Sequence, residues 1–435
     1  MPLPRLIPPG VLPHSLSLRI AILSYLAHLL CEGWIGSSEA FLGIAVIAAF
    51  VAWKRGELRL AFHPLYLPLA LFVAASFASA LISPPPLDSL LAAGEWSPFL
   101  AFPFPSSLVP PGPFQSLLAA GEWFPFLTFP LALILYANVR GLARSGAGAL
   151  LALAIFQSSF GLAQYLFFNH DTLERRITGT TAHVMTFSGI LLPLSLLFIS
   201  LSLSRAGTTA HRVAAVLTTL ALALTFTRGA WIGWTFGILT IVALRRIRLI
   251  PWLAPLFLLA LTFSPEPIFA RLVSSFDLQQ TSVLDRIRMA EAGVEMVRDH
   301  PLFGVGPGNI KEVYPLYRKD DAPRFRIPHL HSNPIQIWAE RGVLAFAAWA
   351  ALLVLFLRES AGQRRRRPQA APWVDGGMAA ALGLAVFGLF EFNFGDTEVL
   401  LTMLDVWALT LALGGAAEAS EPVPDVFPGA VPAAS

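Results

Sequence analysis

Apolar runs of about 15–22 residues recur from one end of this chain to the other, each nearly free of charge. A soluble fold has nowhere to bury so many. In hydrocarbon each backbone N–H and C=O must be satisfied within its own segment, so every run is predicted to be a helix. Composition agrees: 55% of the 435 residues are hydrophobic, only 13% are charged, and mean hydropathy is +0.65. That is too little charge to cover a soluble surface. The expected fold is therefore an all-α integral membrane protein, a single polytopic bundle of about twelve transmembrane helices with one long outward loop.

The candidate spans are approximately 16–33, 37–53, 63–82, 117–137, 147–168, 184–203, 211–227, 230–244, 250–264, 335–357, 374–391 and 399–415. This divides the chain into a first set of nine spans (1–264), a polar loop (265–334), three further spans (335–415) and a tail (416–435) rich in Ala, Pro and Glu that reads as disordered. Basic residues orient the bundle. Arg5 and Arg19 precede the first span, and Lys54, Arg55 and Arg59 follow the second. Arg140 and Arg144 follow the fourth, Arg205 and Arg212 the sixth, Arg245, Arg246 and Arg248 the eighth, and Arg358 and Arg364 to Arg367 the tenth. All fall on one side if both termini are cytoplasmic. The 265–334 loop then faces outward, where neither ATP nor nucleotide sugars are at hand. Bond-making chemistry there needs a substrate that carries its own leaving group.

Several features bound the remaining possibilities. Cys31 is the sole cysteine, so an intramolecular disulfide and a cysteine-based metal site are excluded. The first apolar run has no convincing small-residue cleavage site, so no cleavable signal is expected. Ser89 to Trp96 recurs as Ser116 to Trp123, an offset of 27 residues, and the match extends through Leu100 and Leu127. Two copies do not make a solenoid; they read as a local duplication, with Trp96 expected at headgroup depth. Paired acid chemistry by Glu95 and Glu122 is the functional alternative. Gly304, Gly306 and Gly308 resemble a phosphate loop only loosely. The Gly-Lys-Ser/Thr ending and a preceding strand are both lacking, so a tight structural turn is expected.

Arginines and histidines concentrate on the outward side. Arg228 lies in a tight turn between apolar runs; it is either a snorkelling side chain or an anion ligand. Arg175 and Arg176 sit at the outer end of the fifth span. Arg286 to Asp299 reads as an amphipathic helix with Met289, Ala292, Val294, Met296 and Val297 at its apolar positions. Arg286 and Arg288 are two apart and so point to different faces. Several guanidinium groups around one outward cavity suit a diphosphate, whose oxygens their planar forks match. His329 and His331 precede the tenth span, and extended backbone would project them oppositely. His331 suits deprotonation of a sugar hydroxyl. A capping or structural role and metal ligation are the alternatives, the last weakened by the lack of an HExxH pattern or an adjacent acidic cluster.

Taken together, Arg286, the segment His300-Pro301-Leu302-Phe303-Gly304-Val305-Gly306-Pro307-Gly308-Asn309, then His329-Leu330-His331-Ser332-Asn333-Pro334-Ile335-Gln336 and Ala339-Glu340-Arg341-Gly342 resemble the O-antigen ligase and polymerase superfamily. Thr227-Arg228-Gly229 is similar to that family's Ser-Arg-Gly turn. The motifs span roughly 225–345, and Ser332 stands where the family usually has Asn. The resemblance implies a metal-independent, cofactor-free, inverting glycosyltransferase of the bacterial cytoplasmic (inner) membrane, with its active site periplasmic. The implied donor is a glycan on undecaprenyl diphosphate and the implied acceptor lipid A–core or another glycan. Carried over by position, Arg228 and Arg286, and more loosely Arg176, bind the diphosphate. His331 is catalytic, with His329 and Asn333 supporting it.

Within this class, ligase is placed before polymerase and protein O-oligosaccharyltransferase because the chain is compact and no appended periplasmic domain is expected. A transporter for lipid-linked glycan is the rival of a different class. It predicts polar residues deep within several helices, whereas these spans read as nearly free of mid-membrane charge.

Overall fold

The computed structural model describes residues 13, 15–60, 62–82, 124–172, 174–249, 251 and 281–415. The expected span at 250–264, the duplicated segment with Glu95, Trp96 and Glu122, the start of the polar loop, Arg5 and the tail lie outside them. The described residues form thirteen α-helices with 3-10 turns and one isolated β-bridge. These are α1 (Leu16–Leu30), α2 (Ile35–Lys54), α3 (Tyr66–Ile82), α4 (Thr128–Asn138), α5 (Leu142–Phe167), α6 (Val184–Ser202) and α7 (Thr209–Leu224). They continue as α8 (Arg228–Arg246), α9 (Thr281–Asp299), α10 (Ile310–Tyr317), α11 (Asn333–Arg366), α12 (Ala371–Phe387) and α13 (Thr397–Gly415).

The chain is a multi-pass membrane protein. Eleven of the twelve predicted spans are apolar helices at the expected places. Seven of them are long and apolar enough to cross a membrane, and α1, α3, α7 and the Phe124–Asn138 segment are shorter. The helices α6, α12 and α13 form the middle of the bundle and are mostly buried, while α2 and α8 turn most of their surface outward. Ile44, Ile47 and Phe50 on α2 are exposed, as lipid-facing side chains are. Pairs α1 with α2, α3 with α11, α6 with α7, and α12 with both α6 and α8 make the main contacts. Glycines allow the closest of these: a Cβ on Gly233 of α8 would lie 2.4 Å from the Gly383 carbonyl of α12.

One end of the bundle is fastened by charge. Arg245 Nε donates to Asp375 Oδ2 at 2.7 Å and Arg364 Nε to Asp375 Oδ1 at 2.6 Å. Arg245 also donates to the Ser200 carbonyl and hydroxyl at 2.9 and 2.6 Å, so the ends of α6, α8 and α11 meet the start of α12. Ser15 and Ser17 meet Glu57, and Arg59 meets Asn138, at the corresponding ends of α1, α2 and α4. The described basic residues that orient the sequence gather at this end. The polar segment of 281–332 gathers at the other.

That segment is more than a loop. Met289, Ala292, Met296, Val305, Ile310, Val313, Tyr314, Ile327 and Leu330 form a second hydrophobic core with Ala339 of α11. The amphipathic helix expected from Arg286 starts five residues earlier, at Thr281, and α10 was not anticipated. Val294, assigned to the apolar face, is 41% exposed. The glycine turn is structural, as expected. Gly304, Gly306 and Gly308 have φ of 68°, 97° and 75°, the left-handed region that disfavours a Cβ, and a Cβ on Gly304 would meet the Glu340 backbone at 2.4 Å. Opposite it, α11 kinks at Gly342, with φ 76°. Ser79 at the end of α3 donates to the carbonyls of Phe303 and Glu340 at 2.5 and 2.9 Å, locking turn and kink together.

The expectation of spans nearly free of internal charge has a clear exception. Asp405, midway along α13, is fully buried, as is His28 of α1.

Removing one partner of a buried charge network leaves the others uncompensated. Asp375→Ala is therefore expected to destabilise the bundle by about 3 kcal/mol, read as a fall in thermal unfolding temperature of the detergent-solubilised protein. An unchanged unfolding temperature would show that this latch contributes little.

Candidate active site

The helix α11 begins at Asn333, earlier than the predicted start near Gln336, because Pro334 sits in its first turn, where a missing N–H costs nothing. The Asn333 N–H donates to the Gly388 carbonyl at 2.6 Å and its Nδ2 to Asn393 Oδ1 at 2.7 Å, while its Oδ1 accepts from the Phe394 N–H at 3.0 Å. Asn333 therefore joins the start of α11 to the turn between α12 and α13. That turn carries Glu391, a carboxylate 3% exposed.

Glu391 organises the site. Its Oε1 is 2.7 Å from His331 Nδ1 and 3.9 Å from His329 Nδ1, and its Oε2 is 3.7 Å from Arg286 Nη2. The expectation that the histidines project oppositely is corrected. His331 has φ 50°, so the segment is not extended, and the two rings converge with centroids 4.2 Å apart. A left-handed, non-glycine residue at a functional loop is strain the surrounding contacts must hold. A carboxylate only accepts, so His331 Nδ1 carries the hydrogen and Nε2 presents its lone pair. Arg324 Nη2 lies 3.5 Å from that Nε2, and Arg324 is itself held by Asp285.

Burial pushes the Glu391 carboxyl upward, but the His331 hydrogen bond and the electrostatic pull of His331, His329 and Arg286 outweigh it and leave it below its ordinary value. Burial, with the neighbouring charges of His331, Arg324 and Arg286, pushes His329 down to about 4, against the pull of Glu391. Five residues beyond Glu391, burial and the Glu391 charge push the Asp396 carboxyl up to about 7, and Thr186 donates to it at 3.1 Å.

The arginines converge on the same end. Arg228 is the first residue of α8 rather than part of a turn, after Phe226 at φ 52°. Its Nη2 donates to Ser282 Oγ at 2.9 Å, and Arg286 Nη1 donates to the Ser282 carbonyl at 3.3 Å, so one residue of α9 carries both guanidinium groups. Arg286 Nε also donates to the Phe390 carbonyl at 3.2 Å, beside Glu391. Arg176 reaches the Thr225 carbonyl at 3.5 Å, on the stretch leading to Arg228. Arg288 points elsewhere, as expected, to Glu291 and Asp321 at 2.8 and 2.6 Å. The structure thus brings together Arg228, Arg286, His329, His331 and Asn333, with Arg176 at the margin.

Residues 213–350 match the O-antigen ligase family. This bears out the resemblance read from residues 225–345. The matched O-antigen ligase domain contains Arg228, Arg286, His329, His331 and Asn333, whereas Arg176 and Glu391 lie outside it. No curated protein matches the chain.

Sequence reasoning missed Glu391, Ser282, Asp285 and Arg324. The available signal for Glu391 was a lone carboxylate in Gly388-Leu389-Phe390-Glu391-Phe392-Asn393-Phe394, at the very end of a predicted span. Nothing local marked the others, whose importance comes from contacts distant in sequence.

By spacing alone this cluster could also hold a metal ion, since His329, His331 and Glu391 each offer an atom within 4.8 Å of the others. The arginines at Glu391 and at His331 Nε2 oppose a further cation there.

With a pKa of about 4 when folded and 6.5 when unfolded, His329 takes up a proton over that interval only in the unfolded chain. Its contribution to stability is complete above about pH 6.5 and falls as the pH drops toward about 4. Thermal unfolding in detergent across this range should show the slope in wild type and a reduced slope in His329→Gln. Equal slopes would remove His329 as its source.

Proposed function

We propose that this protein transfers a glycan from undecaprenyl diphosphate to an acceptor hydroxyl on the periplasmic face of a bacterial inner membrane. The observation that carries the reading is the His331–Glu391 pair, 2.7 Å apart, set among arginines in an O-antigen ligase domain. The basic residues at the opposite end support this orientation, since the positive-inside rule favours a cytoplasmic place for them and, by the same reading, for both termini.

In this reading Arg228 and Arg286 hold the diphosphate, aided by Arg176 and by the positive end of the α8 dipole. The acceptor hydroxyl gives its proton to His331 Nε2 as its oxygen attacks the anomeric carbon from the face opposite the leaving group. The bond from that carbon to the diphosphate oxygen breaks with inversion. Glu391 fixes the tautomer of His331 and stabilises the imidazolium that forms, as carboxylates do in hydrolase triads. The guanidinium groups meet charge developing on the diphosphate, a contribution of about 2–4 kcal/mol per well-placed donor. His329 packs on His331 and shields Glu391, and Asn333 positions the loop. A small pocket lined by Phe72, Ile337, Arg341, Phe392 and Thr397 lies beside the histidines; Phe392 is 5.9 Å from His329. The chemistry is read as metal-independent because arginines already supply positive charge at the reacting atoms.

Lipid A–core is placed first as acceptor because the matched family is described as O-antigen ligase. Purified protein given a synthetic undecaprenyl-diphosphate glycan should transfer it to lipid A–core. Transfer only to a second lipid-linked unit would make it a polymerase, and transfer only to a Ser or Thr side chain a protein glycosylase. Movement across vesicles without transfer would make it a transporter.

His331→Ala should abolish transfer, and Glu391→Gln should lower kcat by about 10²–10⁴-fold while the protein folds and inserts normally. Full activity of His331→Ala at normal membrane levels would remove His331 from catalysis.

A further inference from the structure

A second polar cluster lies inside the bundle, and the transfer chemistry makes no use of it. His28 of α1, Glu32 in the turn before α2 and Asp405 of α13 are each 0% exposed. Each offers one ligand atom, and the three atoms lie within 4.8 Å of one another. His28 Nε2 is 3.2 Å from Asp405 Oδ2. Two ligands held about 2.0–2.1 Å from one tetrahedral ion would be roughly 3.3 Å apart, so this spacing serves a shared metal as well as a hydrogen bond.

The surroundings are those of ligands held in place. His28 Nδ1 faces the Ser38 carbonyl at 3.1 Å and the Ser38 hydroxyl at 2.8 Å, which turns Nε2 toward the carboxylates. Asp405 Oδ1 accepts from the Tyr25 hydroxyl at 2.7 Å, and the Thr128 hydroxyl lies 3.2 Å from both Asp405 oxygens and 3.1 Å from His28 Nε2. Glu32 Oε2 accepts from Thr402 at 2.6 Å. Glu32 Oε1, buried in the same place, has no hydrogen-bond partner among the described residues. Two buried carboxylates face one imidazole, and among the described residues the only ion pair of Asp405 is with His28. Charge buried in this way has to be balanced, either by a proton that Glu32 shares with Asp405 or by a bound cation, and the ligand spacing favours the cation.

We propose that His28, Glu32 and Asp405 form a buried divalent transition-metal site. One nitrogen and two carboxylate oxygens suit zinc or manganese better than the all-oxygen preference of magnesium and calcium. The Thr128 hydroxyl stands where a fourth ligand is needed. The site is structural: it ties the turn between α1 and α2 to the middle of α13, apart from the histidines of the transfer site.

The test uses the full-length protein in detergent, stripped with chelator, incubated with zinc chloride or manganese chloride, desalted, and assayed for bound metal by mass spectrometry. Wild type should retain one equivalent per chain and unfold at a higher temperature than the stripped protein. Glu32→Gln and Asp405→Asn should each lower retention about tenfold or more, while His331→Ala keeps the equivalent. Glu32→Gln preserves shape, and its size-exclusion profile reports whether it folds. The proposal is overturned if stripped wild type neither retains metal nor gains thermal stability with it. Unchanged retention in a folded Glu32→Gln variant, or loss of the metal in His331→Ala, would overturn it as well.

Discussion

One carboxylate holds one end of this helix bundle in register. Glu391 is almost wholly buried, and it faces two histidines and an arginine that come from chain segments about 60 and 105 residues away. A buried negative charge is tolerable only when donors and cations surround it, and a cationic cluster only when a carboxylate anchors it. Each therefore stabilises the other. The partners reach Glu391 because separate supports deliver them: Asn333 fastens the histidine loop to the α12–α13 turn, and Ser282 and the Phe390 carbonyl hold Arg286.

The two ends of the bundle use charge differently. At one end Asp375 is gripped by Arg245 and Arg364 with hydrogen bonds of 2.6–2.7 Å, a closed arrangement that fixes helix ends. At the other end two of the arginine contacts are longer: Arg286 is 3.7 Å from Glu391, and Arg324 is 3.5 Å from His331. Longer contacts leave donors able to turn toward an anion. The left-handed backbone at Phe226 and His331 flanks these donors, so the strained residues lie where the proposed substrate would bind.

Much of the fold was legible in the sequence because the bilayer imposes a strong rule. A long uncharged apolar run has to be a helix, and eleven predicted spans are helices at the expected places. The motif residues were legible for another reason: Arg228, Arg286 and His331 are charged or titratable groups beside apolar runs, where such groups are costly. What stayed hidden depends on three-dimensional pairing. The convergence of His329 and His331 hinges on one backbone angle that alternation of side chains cannot reveal. Glu391 is a lone carboxylate at the end of a predicted span and Asp405 an acid within one; their partners lie from 60 to 380 residues away in the chain, where local pattern cannot show them. The 281–332 segment read as a loop because its small core is assembled from short, scattered apolar positions.

Ser282 offers a last consequence. Its hydroxyl accepts from Arg228 and its carbonyl accepts from Arg286, so a single position on α9 touches two guanidinium groups rooted in different helices. In the proposed reading the pair meets the two phosphates of one headgroup, with Ser282 as their common support. Movement of α9 would shift the support of both at once, so in the proposed reading capture and release of the donor would be coupled to the position of that one amphipathic helix.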